Sequence, residues 1–226
     1  MFKFAAVTVA LATALASCAP MSAPTPDTAF VRVAHLSPNT PAVDIWVGGK
    51  VVDSLKNVTF KTVSPYLKLP VGATDIAVYV AGTTTNPAIE VKGLNLEKKN
   101  YTVAAIGLLN GTGAQALRAN VYNDDLTLNA SKARVRVIHA SPDAPAVDVA
   151  VQGGAVVVPN LSFPNASAGY LELDAGTYPL EIRAAGSSTA VLKFNTPALA
   201  ANKVYTVFAV NRLASLEVLP VGDVAP

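Results

Sequence analysis

The chain carries two histidines, and each stands two residues before a Ser-Pro pair: His35-Leu-Ser37-Pro38 and His139-Ala-Ser141-Pro142. Two chemistries are open to such a grouping. The imidazole could act as a general base on Ser37 or Ser141, or it could ligate a metal together with Asp44 or Asp148. Both readings are weak on chemical grounds. A catalytic zinc usually takes three protein ligands, and no second His or Cys lies near either histidine. No Gly-x-Ser-x-Gly elbow occurs, so neither serine has the strained turn that exposes a nucleophile. Strand alternation also parts the groups: His35 and His139 point to the core with Val33 and Val137, while Asp44 and Asp148 point to the other face with Trp46 and Ala150. The expectation is a buried imidazole whose ring N–H donates to a carbonyl of the Pro-rich loop that follows. No catalytic residue, metal site or cofactor is assigned. A metal-dependent or hydrolytic enzyme using His35 or His139 is the alternative.

The remaining candidates are surfaces. Ser37-Pro38-Asn39-Thr-Pro41 and Ser141-Pro142-Asp143-Ala-Pro145 are stiff loops, because proline fixes φ and Asn39 or Asp143 can accept a backbone N–H in an Asx turn. Such a loop is either a recognition element, in which case Ser37, Asn39, Ser141 and Asp143 are its binding residues, or a rigid crossover between strands. Trp46, the only tryptophan, falls on the outward parity of its strand where the second half of the chain has Ala150. An outward Trp can stack on a sugar or a peptide. Arg32 with Asp44, and Arg136 with Asp148, are expected as cross-strand ion pairs on the outer face that set register. The glycines of Asn110-Gly-Thr-Gly113 point to mobility, since no strand-to-helix context for phosphate binding accompanies them. The Asn-x-Ser/Thr sequons at Asn57, Asn110, Asn129 and Asn165 are incidental in a bacterial setting.

The elements that position these residues are duplicated. Arg32-Val-Ala-His35 through Val47 returns as Arg136-Val-Ile-His139 through Val151, at an offset of 104 residues. The offset holds at Tyr66/Tyr170, Gly72/Gly176, Gly82/Gly186 and Tyr101/Tyr205, after which the loop Leu109–Gln115 has no full counterpart. Within a copy the apolar pattern has the period of strands, with candidates at 51–58, 63–69, 74–81, 88–94, 100–108 and 116–122 besides the two in the repeat motif. Gly and Pro turns separate them. Seven or eight strands in about 100 residues predict an all-β chain of two tandem antiparallel β-sandwich domains, immunoglobulin-like or transthyretin-like. Copy 1 is placed at 30–128 and copy 2 at 132–222, lying end to end because only 129–132 is free to act as linker.

His139-Ala-Ser-Pro-Asp-Ala-Pro-Ala-Val-Asp148, Gly169-Tyr170 and Ala175-Gly176-Thr-Tyr178 to Arg183-Ala-Ala-Gly186 closely resemble the signature of a bacterial family of unknown function, DUF4397. The resemblance covers nearly all of residues 30–222. Copy 1 departs from it with Asn39, Pro65 and Tyr79 where copy 2 has Asp143, Gly169 and Arg183. The resemblance implies secreted envelope proteins, often in tandem, with β-sandwich architecture. It supplies no activity and no catalytic residues.

Residues 1–17 have one early Lys, an apolar stretch and a small-residue end, which is the pattern of a secretory signal too short to span a bilayer. Leu15-Ala16-Ser17-Cys18 is similar to the bacterial lipobox, which implies a lipid anchor on Cys18, the only cysteine. The absence of Asp at position 19 favours the outer membrane. Residues 18–29, with prolines at 20, 24 and 26, read as an extended tether. Net charge is +2 with no Lys/Arg run longer than Lys98-Lys99, which excludes the electrostatic footprint of a nucleic-acid binder. Taken together, the sequence predicts a lipid-anchored, non-enzymatic envelope module that binds or scaffolds an unidentified protein or glycan. A strand-addition assembly component is a further alternative.

Overall fold

The computed structural model describes residues 27–223. The leader, Cys18 and most of the expected tether lie outside the described residues. The last two tether positions, Thr28 and Ala29, instead open the first strand, and Ala29 is buried in the core.

Copy 1 contains β1 (Thr28–His35), β2 (Val43–Val47), β3 (Lys50–Val51), β4 (Leu67–Pro70), β5 (Gly72–Val80), β6 (Ile89–Leu96), β7 (Asn100–Ile106) and β8 (Arg118–Asp124). Copy 2 contains β9 (Ala133–His139), β10 (Val147–Val151), β11 (Val156–Leu161), β12 (Leu171–Leu173), β13 (Pro179–Ala184), β14 (Ala190–Asn195), β15 (Lys203–Val210) and β16 (Glu217–Asp223). Each copy forms two four-stranded sheets, in the orders β4-β1-β7-β8 and β3-β2-β5-β6 in copy 1, and β12-β9-β15-β16 and β11-β10-β13-β14 in copy 2. This is a β-sandwich. Its four-plus-four partition differs from the four-plus-three arrangement of an immunoglobulin constant domain.

Two details depart from the sequence reading. The sheets are not wholly antiparallel: β1 runs parallel to β7, and β9 to β15, with Arg32 opposite Thr102 and Arg136 opposite Thr206. Parallel neighbours need a long connection, and here that connection is most of the domain. The segment 51–58 is not one strand, since after Val51 the chain makes a 3-10 turn at Asp53–Leu55 that drives Leu55 into the core.

Alternation places Val31, Val33 and His35 inside copy 1, as expected. The opposite face of β1 does not meet solvent. Ala34, Leu36, Ala104, Ile106 and Tyr122 pack with Ile138, Ala140, Phe208 and Val210 of copy 2 in one buried cluster. The copies are therefore stacked through their β1- and β9-containing sheets rather than placed end to end, and the molecule has four β layers with a third core between the sandwiches. The end-to-end expectation rested on the short linker, which permits stacking as well, and the apolar faces carrying Ala34, Ile138 and Phe208 decide for it.

Candidate functional site

Both imidazoles are sealed, with His35 and His139 each 0 % exposed. The His35 Nε2–H donates to the Pro41 carbonyl at 3.1 Å and the His139 Nε2–H to the Pro145 carbonyl at 3.0 Å. The Ser141 backbone N–H donates to the second nitrogen of His139, Nδ1. Phe60 lies edge-on to His35 and Phe163 to His139. Burial lowers both imidazole pKa values below 6.5, and the proline carbonyls only partly offset it. Each ring is thus a neutral tie between the end of a strand and its Pro-rich loop. Among the described residues no group of three His, Cys, Asp or Glu side chains is placed to hold a metal.

The Ser-Pro loops are pinned from below. Ser37 is buried; its hydroxyl donates to the Gly107 carbonyl at 2.7 Å and lies 2.6 Å from the Thr40 hydroxyl. Ser141 is equally buried. Neither serine presents a surface, which corrects the assignment of Ser37 and Ser141 as binding residues. Asn39 is exposed, yet its amide both donates to the Leu109 carbonyl and accepts from the Leu109 N–H. Asp143 accepts from the Leu213 N–H at 2.8 Å. These contacts bind each loop to the connection after β7 or β15. The Asn110–Gly113 segment is correspondingly closed by hydrogen bonds from the Gly111 N–H to Leu108 and the Leu108 N–H to Gln115.

The aspartates of the motif do not pair with the arginines. Asp44 accepts from the N–H groups of Asn57 at 2.7 Å and Gly82 at 3.0 Å; Asp148 accepts from Asn160 and Gly186 in the same way. These backbone donors hold both carboxyls below the usual carboxylate range. Gly82 and Gly186 have φ of +79° and +78°, a conformation in which glycine is favoured, and it aims their N–H at the carboxylate.

Arg32 and Arg136 instead meet across the seam between the copies. Arg32 donates to Asp223 at 2.7 Å and to Thr102 at 2.8 Å, and Arg136 donates to Asp124 at 2.7 Å and to Thr206 at 3.0 Å. Asp124 also accepts from Thr102 and Tyr66, and Asp223 from Thr206. Each arginine thus reaches the terminal-strand aspartate of the other copy. Both guanidinium groups lie over tyrosines, Arg32 on Tyr66 and Arg136 on Tyr170. Burial alone would lower the Arg32 pKa, but Asp223, Tyr66 and Asp124 outweigh it and raise it. The expected outer-face pairs Arg32/Asp44 and Arg136/Asp148 are replaced by this buried network. Asp124 and Asp223 were missed because the shortened loop in copy 2 breaks the repeat offset before the last strand. The available signal was that β8 and β16 both end in Asp.

Trp46 is half-buried on the outer sheet, with its ring 5.3 Å from that of Tyr79. Along the same row of the sheet Trp46 pairs with Val51 and Ala77, and Ala77 with Glu90. Copy 2 places buried Ala150 beside Glu181, which is ion-paired to Arg183, at the corresponding face. The aromatic pair is therefore particular to copy 1. Tyr79 was singled out only as a departure from the repeat, because its contact with Trp46 is diagonal across two strands.

The model of the family described as "Domain of unknown function (DUF4397)" matches residues 29–150 and 133–226. The chain belongs to this family. No curated protein matches it. Among solved structures it is similar to the Bacillus anthracis TIE protein, at 13 % identity and a TM-score of 0.24, over 81 % of this chain and 34 % of that one. It thus spans about a third of that protein's length. It is also similar to a Bacteroides uniformis protein provisionally assigned to cell adhesion, at 10 % identity and a TM-score of 0.21, over 86 % and 98 % of the two chains. At such scores neither likeness carries an argument about fold or function.

Proposed function

We propose that this protein is a lipid-anchored, non-enzymatic module of the bacterial envelope that binds a glycan or cell-wall polymer through the outer sheet of copy 1. The observation that carries the reading is the Trp46–Tyr79 pair on a sheet face, at a position where the sister copy has Ala150 and Arg183. Tilted aromatic rings offer an apolar face to the C–H surface of a sugar, and Glu90 and Lys92, ion-paired nearby on β6, offer hydrogen-bonding groups at its edge. The motif residues that might have suggested chemistry are engaged in the scaffold instead, with both histidines tied to proline carbonyls. The Cys18 anchor and the proline-rich segment after it would hold this face away from the membrane. Because Trp46 is the only tryptophan, intrinsic fluorescence reports on the site directly. Titration with purified cell-wall polymer is expected to change that fluorescence saturably, and Trp46→Ala and Tyr79→Ala are expected to abolish retention on the immobilised polymer. Wild-type retention by both variants would remove the assignment.

A further inference from the structure

Copy 2 encloses a cavity between its sheets. In copy 1 the interior is one continuous cluster that includes Val31, Val33, Ile45, Leu55 and Val103. In copy 2 the buried residues fall into two clusters, one with Val137, Val149 and Ile182 and another with Val135 and Val207. A cavity of about 200 Å³ lies between the sheets, walled by residues of both clusters. Leu55 and Val158 each precede by two residues an asparagine in the left-handed conformation (Asn57 and Asn160), so copy 2 buries a shorter side chain where copy 1 buries a leucine.

The lining is aliphatic and aromatic apart from Glu172, Tyr178 and Thr196. Glu172 is exposed, the Tyr178 hydroxyl donates to the Asp174 carbonyl, and the Thr196 hydroxyl accepts from the Tyr178 N–H. A polar guest would therefore lose its hydration without new partners. An apolar cavity of about 150 Å³ in a protein core is large enough to take up benzene, so this space suffices for an apolar group of comparable size. Its shape narrows the class. The cavity shares Val157 and Leu171 with a surface cleft of about 420 Å³, and shares Phe194, Val207 and Val218 with a second cleft of about 260 Å³. The cavity therefore borders a cleft on two sides, an arrangement that suits an apolar chain with its head in a bordering cleft. The larger cleft is lined by Asn160, Ser162, Asn165 and Ser167 and has no charged side chain.

We propose that copy 2 is a binding site for an amphiphile, with an unbranched alkyl chain in the cavity between its sheets and an uncharged hydrogen-bonding head in the Asn160–Ser167 cleft. This site is distinct from the Trp46 surface of copy 1. The test is calorimetric titration of the intact protein with n-octyl β-glucoside below its micelle concentration, with glucose as the head-only control. Saturable binding of the octyl glycoside and none of glucose is expected. Val149→Ile with Ala209→Val adds three carbons to the wall, and it should weaken binding at least tenfold without lowering the melting temperature. Phe194→Leu enlarges the space and should shift preference from the octyl to the decyl chain. Trp46→Ala should leave uptake unchanged. Absence of saturable binding, or wild-type affinity in the folded double variant, overturns the proposal. So does loss of uptake in Trp46→Ala, which would place the sugar on copy 1. If the double variant does not fold, an unaltered chain-length preference in Phe194→Leu decides against it.

Discussion

The two copies share a motif, a strand order and a hydrogen-bond scheme, yet they differ at the outer sheet and in the core. Copy 1 sets Trp46 against Tyr79 outside and packs Leu55 into a single buried cluster; copy 2 sets Arg183 against Glu181 outside and encloses a cavity. What they have in common is structural: His to proline carbonyl, Asp to two backbone N–H groups, Arg to the aspartate of the other copy. Duplicated residues hold the scaffold, and the residues that diverge are free to recognise different things. This division explains why the family signature carries no visible chemistry.

The comparison can be broken most forcefully at the seam, where the copies share a buried cluster and ion pairs. Arg32→Ala leaves Asp223 buried without a cation and takes from Asp124 one of its two, and truncating one partner of a buried ion pair costs roughly 3–5 kcal/mol. The expected outcome is a large fall in the urea midpoint, with the single unfolding transition splitting in two. Arg136→Ala should cost less, because Asp124 keeps Arg32 at 3.6 Å and Asp223 keeps its pair with Arg32. A variant that remains cooperative and loses little stability would show that the apolar cluster alone joins the copies.

Core packing is the next test. Leu55→Ala should destabilise the protein by about 2–5 kcal/mol, since it empties a buried position in copy 1. Val158→Ala removes fewer buried atoms, and a smaller loss is expected. Equal losses measured by chemical denaturation would deny that the two interiors differ.

The histidines should make both copies sensitive to mild acid in the same way. Their folded pKa values lie below the unfolded value of about 6.5, so the unfolded chain binds more protons as the pH falls through that region. Their contribution to stability is complete above about pH 6.5 and is lost progressively as the pH drops from there through the folded values. Stability at pH 5.5 should be lower than at pH 7.5, and His35→Gln with His139→Gln should flatten the difference. A slope that persists in the double variant would assign it to other groups.

The smallest effect sharpens the outer-sheet contrast. Trp46→Ala removes an aromatic contact worth about 0.5–1.5 kcal/mol beyond its area, so the melting temperature should move little while polymer binding is lost. A severe drop in stability would reclassify Trp46 as a packing residue.

Much of this was legible in the residues themselves. Period-2 alternation placed His35 and His139 inside with their valines, and the expected partner, a carbonyl of the Pro-rich loop that follows, is that of Pro41 or Pro145. Trp46 stood out because Ala150 replaced it. The misreading of Ser37 and Ser141 had a local cause: a loop rich in proline and polar residues reads as surface, but here it folds back against the connection after β7 or β15. Arg32 was misplaced for a different reason. Charge on the second face of a strand ordinarily means water, and nothing along β1 announces that a second sheet covers it.

The sequence by itself determined the duplication, the strand-and-turn composition and the inward side of each strand, because periodicity and turn chemistry are local properties. Only the tertiary structure decided that the sandwiches stack face to face, that Arg32 meets Asp223 across the seam, that Trp46 finds Tyr79, and that copy 2 encloses a cavity. Each of these depends on which surfaces meet over long sequence separations, a choice set by summed packing and desolvation across many residues and written in no single one of them.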